Sequence, residues 1–200
     1  IGYDGYLEIE VNGKKKKIEI ERIHIEEDTC KSIHGERGTL LNFNRAGVPL
    51  IEIVSKPVIE SPEEAMLYLE KLRETLLYLG ISDVKIEEGS MRCDANISMH
   101  EEGEPFGTKC EIKNIGSIRY VGVSLEYEIK RQTEILERGE KIEREQTRRF
   151  DENTNTTVLM REKETGNDYR YFPEPDLPFV TISDAWIEEV KNSMPMMPDE

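Results

Sequence analysis

Carboxylate and basic side chains recur on strand-like segments of this 200-residue chain, in a pattern that could hold a metal cation and a phosphate. Residues 50–54 form an apolar run that predicts a buried strand, and this run carries one carboxylate, Glu52. Desolvating an unpaired carboxylate in a buried strand is costly. We therefore expect Glu52 to have a metal ion, a cationic partner or a bound proton.

A second strand is predicted over residues 17–27, where the parity of the isoleucines changes halfway along. One face can hold all of them only if a bulge near Glu21 and Arg22 shifts the register. Beyond that bulge, alternation places His24 and Glu26 on the same face. The presence of a histidine at position 24 is explained equally well by a structural role in the strand and by a functional role.

Two further strands, predicted over residues 91–99 and 109–114, also pair an apolar face with a polar one. A solvated sheet face explains any one such strand. Three strands of this kind, whose polar faces carry charges of both signs and also short polar side chains, favour a functional face. Carboxylates near a histidine suit Mg²⁺, and Arg and Lys suit the charge of a transferring phosphate. The polar faces carry Arg92, Asp94, Asn96 and Ser98 on one strand and Lys109, Glu111 and Lys113 on the other.

Turn and cap residues predict the elements that position these side chains. Asn12-Gly13 favours a type I′ hairpin turn, which needs positive φ at both residues. Ser61-Pro62-Glu63-Glu64 is typical of a capped helix start, and Gly80 is typical of a helix end. The predicted segments are strands over residues 6–11 and 17–27, and helices over 61–79, over 117–138 before Gly139, and from Ser183 onward.

The composition predicts a soluble, cytoplasmic protein without a membrane partner, because the chain has no long apolar run and no signal-peptide pattern. A net charge of −15 argues against nucleic-acid binding over the whole surface. Any RNA contact is expected at the basic segments 14–17, 144–149 and 161–163. Three cysteines without metal-type spacing fit a reducing compartment, with Cys93 and Cys110 as small buried residues.

Three other features carry weaker indications. His34 is predicted in a surface loop and His100 in contact with solvent. Prolines predict an extended chain over residues 172–178. The aromatic segment 168–176 is explained equally well as a stacking or partner surface and as chain packed on the core.

Seven motifs follow one another along the chain. They are Gly5-Tyr6-Leu7, His24-Ile25-Glu26-Glu27-Asp28, Asn44-Arg45-Ala46-Gly47-Val48-Pro49-Leu50-Ile51-Glu52-Ile53-Val54-Ser55, Glu88-Gly89-Ser90-Met91-Arg92-Cys93-Asp94-Ala95-Asn96, Glu111-Ile112-Lys113-Asn114, Glu145-Gln146-Thr147-Arg148 and Asp168-Tyr169-Arg170-Tyr171-Phe172-Pro173-Glu174-Pro175-Asp176. In this order, and over essentially the whole chain, they closely resemble the B-subunit family of the glutamyl/aspartyl-tRNA amidotransferases, the GatCAB complexes.

The resemblance implies an α+β fold with a largely antiparallel sheet, flanking helices and a cradle domain related to glutamine synthetase. That domain is expected over residues 1–182, and residues 183–200 are expected to begin a helical domain. The implied activity is that of a glutamine-dependent carbon–nitrogen ligase. Mg²⁺ and ATP would serve to phosphorylate the side-chain carboxylate of Glu-tRNA(Gln) or Asp-tRNA(Asn), and channelled ammonia would then form the amide.

The implied partners are an amidase-type glutaminase (the A component of GatCAB), a small bracing protein (its C component) and the misacylated tRNA. Which of the two tRNAs is the substrate depends on the synthetases of the organism. A non-catalytic scaffold role in the same complex is the main alternative. An archaeal-type relative restricted to Glu-tRNA(Gln) is disfavoured, because no synthetase-like domain is inserted in this chain.

The resemblance also implies roles for single residues. The catalytic group would comprise Glu26, Glu27 and Glu52, with Glu27 either at the mouth of the ammonia channel or on the metal. The implied metal ligands are Glu26, Glu52 and Glu111; the implied nucleotide and phosphate contacts are Arg92, Asp94, Asn96 and Lys113; the groups expected to position the ligands are His24, Asn44 and Arg45.

One departure from the family is expected to matter. The family carries an upstream Glu-x-His segment that completes the metal site, and helical and tail domains that supply most of the tRNA contact. None of these is in the 200 residues. By itself the chain is therefore expected to be inactive and to bind tRNA poorly.

Overall fold

Within residues 2–162 and 179–198, which the computed structural model describes, the chain forms nine strands and three helices. The α+β prediction is confirmed. The predicted aromatic segment 168–176 and the extended segment 172–178 lie outside the described residues. The elements are β1 (Gly2–Val11), β2 (Lys14–Glu27), β3 (Lys31–Gly35), β4 (Gly38–Asn42), β5 (Pro49–Ser55), α1 (Pro62–Tyr78), β6 (Ala95–Ile97), β7 (Cys110–Lys113), α2 (Ile118–Glu137), β8 (Gln146–Asp151), β9 (Thr156–Glu162) and α3 (Asp184–Ser193).

The chain divides into two compact units, Ile1–Tyr68 and Leu69–Glu200. The first unit contains an antiparallel sheet in the order β1-β2-β5. The predicted hairpin turn is confirmed, since Asn12 and Gly13 have φ of 51° and 73°. The predicted bulge is confirmed as well, because the register of β2 against β5 shifts between Ile20 and Arg22.

A second hairpin, β3–β4, was not predicted. All ten of its residues are exposed, so it lacks the alternation of apolar and polar residues that marks a half-buried strand. His34 consequently lies on a strand and not in a loop, and its Nδ1 is 2.9 Å from the Thr39 hydroxyl. The prediction that His34 is exposed is confirmed, as is the corresponding prediction for His100.

The start of α1 combines a helix cap with an ion pair. The Ser61 hydroxyl accepts the Glu64 N–H at 3.1 Å, as predicted, while the Glu64 carboxylate accepts the N–H of Glu60 at 2.7 Å. Lys16 of β2 donates to both Glu64 oxygens at 2.9 and 3.0 Å. Burial acts to raise the pKa of Glu64, but these hydrogen bonds outweigh it and hold that pKa below its ordinary value. The beginning of the helix is thus joined to the first sheet, and Gly80, with φ of 68°, ends the helix as predicted.

The second unit contains a four-stranded sheet in the order β6-β7-β8-β9, in which only the β7–β8 pair is parallel. The core of this unit includes Cys110 and Ile112 of β7, Phe150 of β8, and Val121 and Leu125 of α2, all of them buried. The predicted first residues of α2 and α3, Ser117 and Ser183, cap these helices, and the side chain of each accepts a backbone N–H of the first turn. The helix α3 has no buried residue.

The strand predicted over residues 91–99 is too long. Only Ala95–Ile97 pairs as β6, against the four residues of β7. Beyond β6, the side chain of Gln132 takes the N–H of Met99 in a hydrogen bond of 3.0 Å, which removes this group from the ladder. No helix in the part of the chain described is both long and apolar enough to cross a membrane.

Gly107 lies where the chain before β7 runs against the chain after β6. A Cβ at this position would be 2.3 Å from the backbone oxygen of Met99. We expect Gly107→Ala to lower the free energy of unfolding by about 1–3 kcal/mol, because the backbone has to move. Gly116→Ala is the control, since its Cβ would meet only the movable end of the Glu152 side chain. Urea unfolding that gives equal losses for the two variants would contradict the prediction.

Candidate active site

Three side chains that could ligate a metal meet on one face of the first sheet. His24 of β2 lies directly opposite Glu52 of β5, and Glu26 follows two residues later on the same face. The His24 Nε2 is 2.8 Å from Glu26 Oε1 and 3.6 Å from Glu52 Oε2. One ligand atom from each of the three lies within 4.8 Å of the others. We call these residues the carboxylate–imidazole cluster.

The cluster is partly open to solvent, so the expectation that residues 50–54 form a buried strand is wrong. The strand β5 is not buried: Ile51 is 40% exposed, and the side chain of Glu52 is 49% exposed. Glu52 therefore does not need a ligand merely to offset burial. What favours a metal is the convergence of three side chains that the strand register brings together.

The donor set fits a divalent cation that accepts oxygen and nitrogen ligands. Two carboxylates suit Mg²⁺ or Mn²⁺, and the exposure of the side chains leaves room for water and phosphate oxygens. Imidazole is a commoner ligand of transition metals than of Mg²⁺. In this geometry His24 is placed to ligate the ion itself or to orient Glu26 by a hydrogen bond.

The turn before β5 sets the register of the cluster. Arg45 Nε is 2.9 Å from a carboxylate oxygen of Asp28, which follows β2. The backbone of Asp28 donates to Val48 O and accepts from Gly47 N–H, both at 2.8 Å. Asn44 contributes its N–H, bonded to Asn42 Oδ1 at 3.0 Å. Arg45 thus ties the end of β2 to the start of β5, beside the strands that carry the cluster.

Glu27 lies on the other face of β2. It pairs with Pro49, and it is exposed. The parity expected from the sequence therefore holds, while its place at a channel or on a metal stays a prediction.

The second unit carries a row of polar side chains across its sheet. Register places Asn96 opposite Glu111, Glu111 opposite Thr147, and Thr147 opposite Arg161, with one residue from each strand. The Thr147 hydroxyl donates to Glu111 Oε2 at 3.3 Å, and Arg161 Nε donates to that hydroxyl at 3.4 Å. We call the side of the sheet that carries this row the polar face.

Lys113 extends the polar face by one step along β7. Its ammonium is 2.7 Å from Asp94 Oδ2 and 3.4 Å from Glu111 Oε1. Burial acts to lower the pKa of Lys113, but the two carboxylates more than compensate and raise that pKa above its ordinary value. Lys113 therefore stays cationic at neutral pH, where it is paired with both carboxylates.

The structure thus groups the predicted residues by unit. His24, Glu26 and Glu52 come together in the first, and Asp94, Glu111 and Lys113 in the second. The metal role of Glu111 and the nucleotide roles of Arg92, Asp94, Asn96 and Lys113 remain predictions.

A buried ionic network, which was not predicted from the sequence, lies on the opposite side of this sheet. Glu128 of α2 is fully buried and pairs with Arg131 at 2.7 Å and with Arg148 of β8 at 3.1 Å. Gln132 donates to the same carboxylate at 3.0 Å, and the Thr157 hydroxyl donates to it as well. A signal was present, because Glu128 falls at a core-facing position of the helical repeat.

The thiols of the second unit are unsuited to nucleophilic catalysis. Burial, with a contribution from the charge of Asp94, raises the pKa of Cys93 to about 12. Burial, with a contribution from Glu128, raises the pKa of Cys110 to about 12. Both cysteines are therefore thiols at neutral pH. The prediction of a buried small residue is confirmed for Cys110, whereas Cys93 is half-buried.

Comparison with known proteins decides the family. Residues 1–188 match the family model described as the GatB/GatE catalytic domain. The chain belongs to this family. The resemblance drawn from the seven motifs is thereby confirmed.

Three similar relatives are named as the B subunit of an aspartyl/glutamyl-tRNA(Asn/Gln) amidotransferase. The chain is 58% identical over 200 residues to the relative from Enterococcus faecalis, and this match covers 99% of the chain. It is 59% identical over 201 residues to the relative from Geobacillus thermodenitrificans, and 57% identical over 199 residues to that from Thermodesulfovibrio yellowstonii. These matches cover 100% and 98% of the chain. The chain spans 42% of the length of each of these relatives.

Proposed function

We propose that this chain is the catalytic part of an amidotransferase B subunit. It would activate the side-chain carboxylate of Glu-tRNA(Gln) or Asp-tRNA(Asn) with Mg²⁺ and ATP, and form the amide with ammonia. The observation that carries the proposal is the convergence of His24, Glu26 and Glu52 on one sheet face. Family membership and the names of the relatives support the class of substrate.

The proposed reaction has two steps. The substrate carboxylate attacks the γ-phosphorus of ATP, the bond to the β–γ bridging oxygen breaks, and ADP leaves. Ammonia then attacks the acyl carbon of the resulting acyl phosphate, loses a proton, and phosphate leaves with the electrons of the carbon–oxygen bond. The net change is loss of one carboxylate oxygen to phosphate and gain of one amide nitrogen.

Two sets of residues, each within its own unit, are candidates for roles in this chemistry. In the first unit, Glu26 and Glu52, with His24, would hold the divalent cation. That cation supplies charge neutralisation for phosphate oxygens when bound. In the second unit, Lys113, which donates a hydrogen bond to Asp94, would be a contact for phosphate oxygens of the nucleotide.

The partners follow from the same proposal. The chain would receive ammonia from an amidase-type glutaminase, with a small third protein bracing the pair, in the cytoplasm. Glu27, on the face opposite the cluster, is our candidate for a residue on the ammonia route.

A scaffold role is the second candidate, and one observation favours it. The β3–β4 hairpin and the turn after it expose large apolar side chains, which are typical of surfaces that bind another protein. They include Ile33, Leu40, Leu41 and Phe43, each at least 45% exposed.

Isotope transfer tests activation directly. With ¹⁸O in the side-chain carboxylate of misacylated tRNA, amidation through an acyl phosphate delivers one ¹⁸O atom to inorganic phosphate. We expect the wild-type, full-length complex to show this transfer and the Glu52→Gln complex to lose it, because the cation that serves the phosphate would be held too weakly. Mass spectrometry of the phosphate provides the measurement.

The scaffold alternative predicts the opposite result for the variant. If Glu52→Gln transfers ¹⁸O at the wild-type rate, the cluster does not take part in activation and the catalytic proposal is wrong. Glutaminase activity of each complex, followed in parallel, shows that its components have assembled.

A further inference from the structure

Two arginines from the basic segments 144–149 and 161–163, Arg149 and Arg161, lie on the polar face of the second unit. Arg149 of β8 is directly opposite Lys113 of β7. Arg161 of β9 is opposite Thr147, at the end of the row that includes Glu111. Neighbouring strands are about 4.8 Å apart, so these cationic side chains share one patch with Lys113.

A register shift accounts for the position of Arg161. Between Thr147 and Arg148 the pairing of β8 with β9 steps by one residue, so that Met160 is left out of the ladder and Arg161 lies opposite Thr147. Bulges of this kind re-aim side chains and are frequent next to functional sites. Here the bulge brings a guanidinium onto the same face as Lys113.

The neighbouring Arg148 has a structural role in this sheet and contrasts with Arg149 and Arg161. It is buried and points to the other face, where its Nε lies 2.8 Å from the Thr157 hydroxyl and its Nη2 lies 3.0 Å from the Thr157 carbonyl oxygen. Arg149 and Arg161 are exposed, and their contacts within the described part of the chain are long. Arg149 lies 4.0 Å from Asp151, and Arg161 donates to Thr147 at 3.4 Å.

We propose that Arg149 and Arg161 bind phosphate oxygens of the nucleotide. The inference rests on the proposed function and extends it with two phosphate-binding residues. A planar guanidinium can donate two parallel hydrogen bonds to a phosphate, which the ammonium of Lys113 cannot do. Their long internal contacts are readily exchanged for such bonds.

Steady-state kinetics of the full-length, reconstituted complex tests this assignment. We expect Arg149→Gln and Arg161→Gln each to raise the KM for ATP about 10-fold, as the loss of a charge-assisted hydrogen bond predicts. The KM for ATP of Arg149→Lys should lie between those of wild type and Arg149→Gln, because lysine keeps the positive charge but cannot donate two parallel hydrogen bonds. Arg138→Gln is the control, an exposed arginine paired with Glu140 at the end of α2.

Other outcomes have separate meanings. If the KM for ATP changes no more than in Arg138→Gln, the inference is wrong while the proposed function stands. A higher KM for the misacylated tRNA with an unchanged KM for ATP overturns it too, since the anion bound would then be the RNA backbone. A wild-type complex that amidates without ATP removes the proposed function and the inference with it.

Discussion

Replacement of Glu26 or Glu52 by glutamine is expected to lower the rate of amidation by the full-length complex about 100-fold or more. The amide keeps the size and hydrogen-bonding oxygen of the side chain but removes the charge that holds a divalent cation. Both residues contribute an oxygen to the carboxylate–imidazole cluster. The measurement is ATP- and tRNA-dependent amidation at saturating ATP, with glutaminase activity recorded on the same preparations.

Dependence on the metal concentration distinguishes loss of a ligand from loss of structure. Each variant should regain part of its activity as Mg²⁺ or Mn²⁺ is raised, because weaker binding is overcome by mass action. Glu10→Gln provides the matched control, a carboxylate on the exposed side of β1 outside the cluster. Full activity of the Glu26 and Glu52 variants at low Mg²⁺ would show that the cluster is not the cation site.

Replacement of Glu128 by glutamine is expected to lower the free energy of unfolding by about 3–5 kcal/mol. The carboxylate is fully buried between Arg131 and Arg148, so its removal leaves two guanidinium groups without their anion. Breaking one partner of a buried ion pair is costly for this reason. Urea unfolding of wild type and variant gives the difference.

The pH dependence of stability supplies a second test of Glu128. Burial acts to raise the pKa of Glu128, but hydrogen bonds from Arg131, Gln132 and Thr157 outweigh it, and the pKa is lower than in the unfolded chain. Its contribution is therefore complete above the unfolded-state value of about 4.3 and is lost as the pH falls through the lower folded-state value. The free energy of unfolding of Glu128→Gln should therefore fall less than that of wild type over this acidic range. A variant with the same acid profile as wild type would contradict the assignment.

The β1–β2 turn and the two ends of α1 could be predicted from the sequence, because they use residues with special conformational preferences. Asn12-Gly13, Ser61 and Gly80 each have a local physical reason to lie where they do, and the structure places them there. The bulge in β2 was predicted too, because a change in parity of the apolar residues needs a change of register.

Long-range pairing could not be predicted. Nothing in the local pattern of residues 146–151 shows that they run parallel to β7, and the exposed β3–β4 hairpin carries no alternation. The meeting of His24 with Glu52 followed from a shared face only once the β2–β5 register was known. The location of Arg149 and Arg161 on the polar face depended on the same kind of information.

The parallel pairing of β7 with β8 also bears on the order in which the chain folds. The β1–β2 hairpin closes through a two-residue turn, and hairpins form within about 1–10 μs. Parallel neighbours need a crossover, and here the crossover includes the 20 residues of α2. Contacts of such high sequence separation slow folding, because the loop entropy is lost before the strands pair. During synthesis, β7 can therefore pair with β8 only after α2 and β8 have been made. Until then the apolar side chains of Cys110 and Ile112 are available for non-native association.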